Sequence, residues 1–283
     1  MTTNKPFGTL TPISEEAACC GDDCCGDAGS SEITHEKLET ITAAVQHQYG
    51  SLASNAAERA ADSTRVKATD KFYSEDQRDS LPDEVAGASA GCGNPVRIAD
   101  AQLGETVLDL GSGGGVDCFL AANEVGPDGY VIGIDVTPRM LELAQKNAEN
   151  LGTENVVFKL GHIESIPQAD NTVDLVISNC VIALSEQKDR VFSEIYRILK
   201  PGGRFVISDM VTSEALPDDV QKSAVEWVAC VGGAAVISEY LELVESSGFS
   251  AIEIVKEERN CPDSIGWEQS LINLTLRASK PNS

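Results

Sequence analysis

The chain has 283 residues, 42% of them hydrophobic, enough for one large domain, or one domain with an elaborated end, around an ordinary core. Lys plus Arg number 21 against 45 Asp plus Glu, and the net charge of −24 repels phosphate backbones and anionic bilayers, so no nucleic-acid or membrane partner is expected. The opening MTTNKPFGTL has no signal-peptide pattern and no apolar run nears the roughly 20 residues that span a bilayer, so a cytoplasmic, reducing setting is expected, with the nine cysteines as ligands, nucleophiles or core fillers.

Residues 1–32 read as a disordered acidic tail carrying Cys19, Cys20, Cys24 and Cys25 in CCGDDCC, with no apolar period to pack that cluster into a core. Its spacing is not the paired C-x-x-C of a zinc site. Residues 33–104 are expected to form a helical extension. Within it, LETITAAVQHQYG has the spacing of one helix closed by Gly50, and GCGNP is a glycine turn that presents Cys92.

From residue 105 to 210 short β-rich runs alternate with helical stretches. ETVLDLG, YVIGID, NVVFKLG, VDLVISNC and RFVISDM are expected strands. Between them lie helices such as TPRMLELAQKNAENLG, with Thr137 as N-cap, Pro138 at the first helical position and Gly152 at the end. This alternation implies an α/β fold with right-handed crossovers and a parallel sheet covered on both faces. Residues 211–283 add the helix SEYLELVESSGF and then SAIEIVKEE and SLINLTLRAS, an antiparallel pair at the sheet edge, making a Rossmann-like sheet of seven strands.

LDLGSGGGVD sets Gly111, Ser112, Gly113, Gly114 and Gly115 between the first strand and its helix, where backbone must approach a ligand closely. Val116 stands where a dinucleotide fingerprint needs its third glycine. The pattern D-x-G-x-G-x-G, from Asp109 to Gly115, resembles instead the first motif of class I S-adenosylmethionine methyltransferases. Asp135 ends the second strand, beside Val136, where a carboxylate can accept from both ribose hydroxyls; the competing role is a cap for the next helix, which Thr137 is expected to fill. GHIESIP occupies the place where that fold edges the adenine, with His162 and Ile163 as candidates there and Glu164 after them.

Five cysteines lie outside the tail. Cys118, inside VDCFLAA, reads as a core filler. Cys180 follows the fourth strand directly, and open α/β sheets bind ligands outside the carboxyl ends of strands near the switch in strand order. Asn179 is expected to face the methionine or substrate end of the same pocket. Cys92 and Cys230, in GCGNP and WVACVGGA, can converge on Cys180, whereas Cys261 has no assigned role.

Three thiolates converging beside a methyl donor suit a soft three-coordinate centre with a nucleophilic lone pair, such as trivalent arsenic. The stretches SLPDEV, GCGNPV, VIGIDVTPRM, ADNTVDLVISNCVIALS, LKPGGRFVISD and WVACVGGA, spread over roughly residues 81–255, resemble in order the motifs of arsenite methyltransferases. The resemblance implies that Cys92, Cys180 and Cys230 bind As(III) from arsenite or arsenic–thiol conjugates and that its lone pair attacks the donor methyl. It also implies that a thiol reductant, glutathione or thioredoxin, restores the trivalent state. It departs in one place, since SNAAERAADSTRV holds no counterpart of the family's further upstream cysteine; the tail cluster could substitute or capture As(III) itself. A generic quinone, sterol or thiol methyltransferase and a non-catalytic arsenic-sequestering protein are the competing readings.

Overall fold

The computed structural model describes residues 40–62 and 67–282. The CCGDDCC cluster and the expected acidic tail lie outside the described residues. Among the described residues six helices precede the sheet: α1 (Ile41–Ser54), α2 (Ala56–Ala61), α3 (Ala68–Phe72), α4 (Glu75–Asp79), α5 (Asp83–Gly87) and α6 (Pro95–Ala99). The alternating part runs β1 (Thr106–Leu110), α7 (Val116–Val125), β2 (Tyr130–Asp135), α8 (Pro138–Leu151), β3 (Val156–Leu160), β4 (Val173–Asn179), α9 (Lys188–Ile198) and β5 (Leu199–Thr212). It closes with α10 (Asp218–Gln221), α11 (Ala224–Val228), β6 (Ala235–Val236), α12 (Ile237–Ser246), β7 (Ser250–Arg259) and β8 (Leu271–Ser279).

The strand order is β3-β2-β1-β4-β5-β8-β7, parallel from β3 to β5 and antiparallel across β5–β8 and β8–β7. The expected parallel sheet with a terminal antiparallel pair is therefore present. An eighth, two-residue strand, β6, pairs with the end of β5 at Val211 and Thr212, which periodicity cannot reveal at that length. Pleating divides the core in two. Leu108, Leu110, Val176, Phe205 and Ile207 pack with Phe192, Ile195 and Tyr240 of α9 and α12. Their alternates Val107, Leu175, Ile177 and Val206 pack with Phe119 and Val125 of α7 and Val96 of α6. Each such fully buried side chain contributes about 1.5–3 kcal/mol relative to exposure. Because the two-residue alternation runs through to the strand ends, it also decides which face each site residue takes.

Two local expectations are corrected. The first helix does not stop at Gly50; it starts after Thr40, whose hydroxyl accepts from the Ala43 amide at 3.2 Å, and continues to Ser54. An interior glycine costs about 1 kcal/mol, which the packing of α1 on α8 and α11 outweighs. Thr137 does not cap α8 with its side chain. Asp135 takes that work: its Oδ1 accepts from the Thr137 amide at 2.7 Å, and the buried Thr137 hydroxyl turns toward the same carboxylate.

Among the described residues no helix is long and apolar enough to cross a membrane. Ion pairs such as Arg204–Glu105 at 2.7 Å and Lys200–Asp174 at 2.7 Å tie strand ends to neighbouring loops. Partly exposed pairs contribute only about 0–1 kcal/mol each, so repulsion within a net charge of −24 is the larger electrostatic effect. Raising monovalent salt from about 0.1 M to about 1 M, which shortens the screening length from about 10 Å to about 3 Å, is therefore expected to raise the unfolding temperature measured by circular dichroism. A fall would show that the pairs outweigh the repulsion.

Candidate active site

The carboxyl ends of β1, β2 and β4 open onto a cleft that Thr42, Val45 and Tyr49 of α1 also line. Asp109, Gly111, Ser112, Gly113, Asp135, Val136, His162, Ile163, Asn179 and Cys180 all line it. Ten residues named from sequence thus share one cleft, although they come from four separate segments.

The glycine loop is pinned to the second strand by its own backbone. The amides of Gly111 and Ser112 both donate to the Ile134 carbonyl, at 2.7 and 3.0 Å. Gly111 has φ +69°, and a Cβ there would sit 2.1 Å from a Val181 methyl, so no other residue fits. The Gly113 amide donates to Asp135 Oδ2 at 2.9 Å, so the Asp135 carboxylate joins the loop to the start of α8. Burial raises the Asp135 pKa and these hydrogen bonds oppose the rise. Behind the loop, Asp109 is 2% exposed and accepts from the Cys118 thiol at 3.3 Å. Burial, and then the charge of Asp117, push Asp109 well above the ordinary carboxylate range.

Does this cleft fit S-adenosylmethionine? Gly111, Gly113 and Gly114 bring bare backbone to the cleft wall, which lets a ligand approach the chain closely. Asp135, held by the Gly113 and Thr137 amides, lines the cleft at the end of β2, where the carboxylate of a ribose site is needed. At the far end, the Glu164 carboxylate accepts from the Ser185 hydroxyl, and both line the cleft beside His162. The donor set therefore fits a nucleoside with a charged amino-acid tail.

Of the three thiols, Cys180 lines the cleft, while Cys92 and Cys230 sit behind it in a small cluster with Ala183, Met210 and Val231. The Cys180 thiol interacts with both others. Cys230 Sγ also donates to the Cys180 carbonyl at 3.0 Å and meets the Tyr49 hydroxyl at 3.7 Å. Among the described residues no group of three or more His, Cys, Asp or Glu forms a ready-made metal cage. The thiols are neighbours, and closing on one atom takes side-chain rotation. Both Cys180 and Cys230 hold left-handed backbone, at φ +62° and +63°. That costs a non-glycine residue on the order of 1–3 kcal/mol and persists only where the surroundings impose it.

All three thiols are held in the protonated form. For Cys92 the largest influence, its hydrogen bond with Cys180, lowers the pKa, but burial and the charges of Asp209 and Cys230 carry it above the ordinary value. The hydrogen bond from Cys230 lowers Cys180, and the Cys92 contact, burial and Asp209 more than reverse it. Cys230 is pushed well up by its hydrogen bond with Cys180 and then by burial.

The structure also brings in residues that sequence reasoning passed over. Tyr49 comes from α1, Tyr73 follows α3, and Asp117 lies in the first turn of α7. No periodic signal marks the tyrosines, because they reach the cleft only through packing of the extension. Asp209 could have been found, as an acid near the carboxyl end of a strand. It is 1% exposed, accepting from the Met210 amide at 3.0 Å and the Tyr240 hydroxyl at 3.1 Å. Burial holds its pKa up at about 6, against the opposing charge of Lys188, itself lowered to about 8 chiefly by burial.

Between the ordinary carboxylate pKa of about 3.9 and the folded value, the native state binds more protons than the unfolded one. The contribution of Asp209 is complete at low pH and is lost as pH rises through about 6. Asp209→Asn is expected to flatten the decline of stability between about pH 4 and pH 7, measured by urea titration at each pH. An equal slope in both proteins would contradict this.

The family described as "Methyltransferase domain" matches residues 102–248. The curated arsenite methyltransferase of Halobacterium salinarum is 40% identical over 271 residues, covering 93% of this chain and 64% of that protein. The human arsenite methyltransferase is 38% identical over 185 residues, covering 62% and 49%. The crystal structure of an arsenic(III) S-adenosylmethionine methyltransferase from Chlamydomonas reinhardtii superposes with TM-score 0.65 at 35% identity, over 72% of this chain and 73% of that one. The chain spans between 52% and 64% of the length of the first three curated relatives. With its sheet order, its glycine loop and a match over more than half its length, the chain belongs to the methyltransferase-domain family.

Proposed function

We propose that this protein transfers a methyl group from S-adenosylmethionine to trivalent arsenic held by Cys92, Cys180 and Cys230. One observation carries the reading. Three thiols from three distant segments lie together at the cleft, Cys180 in its wall and Cys92 and Cys230 behind it, two of them on backbone that a cysteine adopts only under constraint. The relatives named as arsenite methyltransferases support it.

The chemistry suits protonated thiols. Arsenous acid is neutral near pH 7, and each As–OH bond exchanged for an As–S bond releases one water: the thiol proton leaves on the hydroxide, and no net proton is gained or lost. A buried site with thiols held neutral can therefore take arsenite without ionising first. S-adenosylmethionine supplies an electrophilic methyl group. This chain's part is to hold the arsenic lone pair toward the cleft through Cys180, to narrow the access of water with the α1 side chains that line the cleft, and to fix the approach, so a general base is not required. Methyl transfer onto a lone pair raises arsenic to the pentavalent state. Two thiols of an external reductant, such as glutathione or reduced thioredoxin, would supply the two electrons and leave as a disulfide.

Arsenite, dithiol and labelled S-adenosylmethionine incubated with the protein are expected to give methylated arsenic, resolved by chromatography. Cys180→Ser is expected to lower the rate by about a hundredfold or more, as for loss of a group that touches the reacting atom. A variant that keeps its rate would favour a methyltransferase of small organic acceptors, and donor-independent arsenite binding with no product would favour sequestration.

A second outcome follows from the neutral thiols. Arsenite binding followed calorimetrically in two buffers of different ionisation enthalpy should give the same apparent heat. A difference corresponding to one or more protons taken up from the buffer would show that the site binds as thiolates, because each displaced hydroxide would then draw its proton from the buffer.

A further inference from the structure

Asn179, the last residue of β4, shares the sheet face of Leu175 and Ile177, which turns it toward the extension that carries Cys92. Its Oδ1 accepts from the Cys92 amide at 3.0 Å and the Gly93 amide at 3.1 Å. Its Nδ2 donates to the Gly93 carbonyl at 2.9 Å, to the Tyr73 hydroxyl at 3.0 Å and to Asp117 Oδ2 at 3.1 Å. The Tyr73 hydroxyl in turn donates to Asp117 Oδ1 at 2.8 Å, so its oxygen is the acceptor toward Asn179.

This leaves the carboxamide no spare capacity. Both lone pairs of its oxygen are taken by amides of the Cys92 turn, and its two N–H bonds are shared among three acceptors. Turning the amide end over end would face its NH₂ toward two N–H donors and its oxygen toward the Asp117 carboxylate, so the network permits one orientation. The turn is shaped to match. A Cβ on Gly91 would lie 2.4 Å from Asn179 Nδ2, and one on Gly93 would lie 2.6 Å from Ser208 Cβ, so the cysteine is flanked by two residues that must be glycine for the backbone to reach the clamp.

We propose that Asn179 is a positioning residue for Cys92: held in register by Asp117 and Tyr73, its amide clamps the Gly91–Gly93 turn so that the Cys92 thiol meets Cys180. It lines the cleft, but its polar atoms serve the protein and leave none for the methyl donor. Asp117, lining the same cleft, fixes the amide, so the wall of the donor site and the Cys92 turn are built as one network. The catalytic consequence rests on the arsenic reading above; the clamp itself does not.

The test compares wild type, Asn179→Ala and Tyr73→Phe by iodoacetamide labelling, with the rate at each cysteine read by peptide mass spectrometry, and by calorimetric titration with S-adenosylmethionine. In Asn179→Ala, Cys92 is expected to label about tenfold faster, while the donor Kd stays within about twofold and the fully buried Cys118 remains protected. Tyr73→Phe keeps both bonds to the turn amides and is expected to raise Cys92 labelling about threefold; it decides the matter if Asn179→Ala exposes Cys118, which would mean that the variant has not folded. A donor Kd raised about tenfold with Cys92 unchanged would make Asn179 a donor ligand and overturn the proposal, and so would unchanged Cys92 labelling in both variants. Arsenite added to wild type separates the two claims. If it fails to protect Cys92 and Cys180, the arsenic reading falls while the labelling rates still judge the clamp.

Discussion

The parallel pairing of β1 with β4 is the constraint on which the site depends. It aligns Leu110 with Ser178, so the glycine loop that follows one strand and the Asn179–Cys180 pair that follows the other emerge side by side at one sheet edge. Everything chemical is hung on that edge. β2, on the far side of β1, delivers Asp135 to the loop, and β5, beyond β4, delivers Ser208 against Gly93 and Asp209 beneath the thiols. A one-residue slip of β4 would reverse every side chain on it, taking Asn179 off the extension and Cys180 away from the loop.

Burial sets the chemistry that this geometry can perform. A thiol kept out of water and near Asp209 stays protonated, which makes it a poor nucleophile toward a methyl sulfonium but leaves it able to condense with a neutral hydroxide of arsenic. The fold thereby disfavours methylation of its own cysteines. Backbone strain at Cys180 and Cys230 belongs to the same arrangement: a relaxed strand end would carry the Cys180 side chain along β4 rather than across to the segment after α11.

Much of this is legible in the sequence, and the parts that are not share a cause. Strand–helix alternation, the glycine pattern from Asp109 to Gly115, and a cysteine directly after the fourth strand are local signals whose spatial meaning the parallel topology fixes. Tyr49 and Tyr73 are invisible because their positions depend on how short helices of an alanine-rich extension pack across the sheet edge. Asp117 looks like an ordinary first-turn acid of a helix, and its bond to Asn179 spans 62 residues. Thr137 is the better cap by residue preference alone, yet Asp135 performs the capping because the strand end delivers its carboxylate to both the loop and the helix. Gly50 reads as a stop, and tertiary packing of α1 carries the helix through it.

X-ray absorption at the arsenic edge, on protein loaded with one equivalent of arsenite, tests the central claim most directly. Wild type is predicted to show arsenic bound to three sulfur atoms, and each of Cys92→Ser, Cys180→Ser and Cys230→Ser to show two, with oxygen in the vacated position. A three-sulfur shell that survives all three substitutions, or an oxygen shell in wild type, would place the arsenic elsewhere and contradict the account.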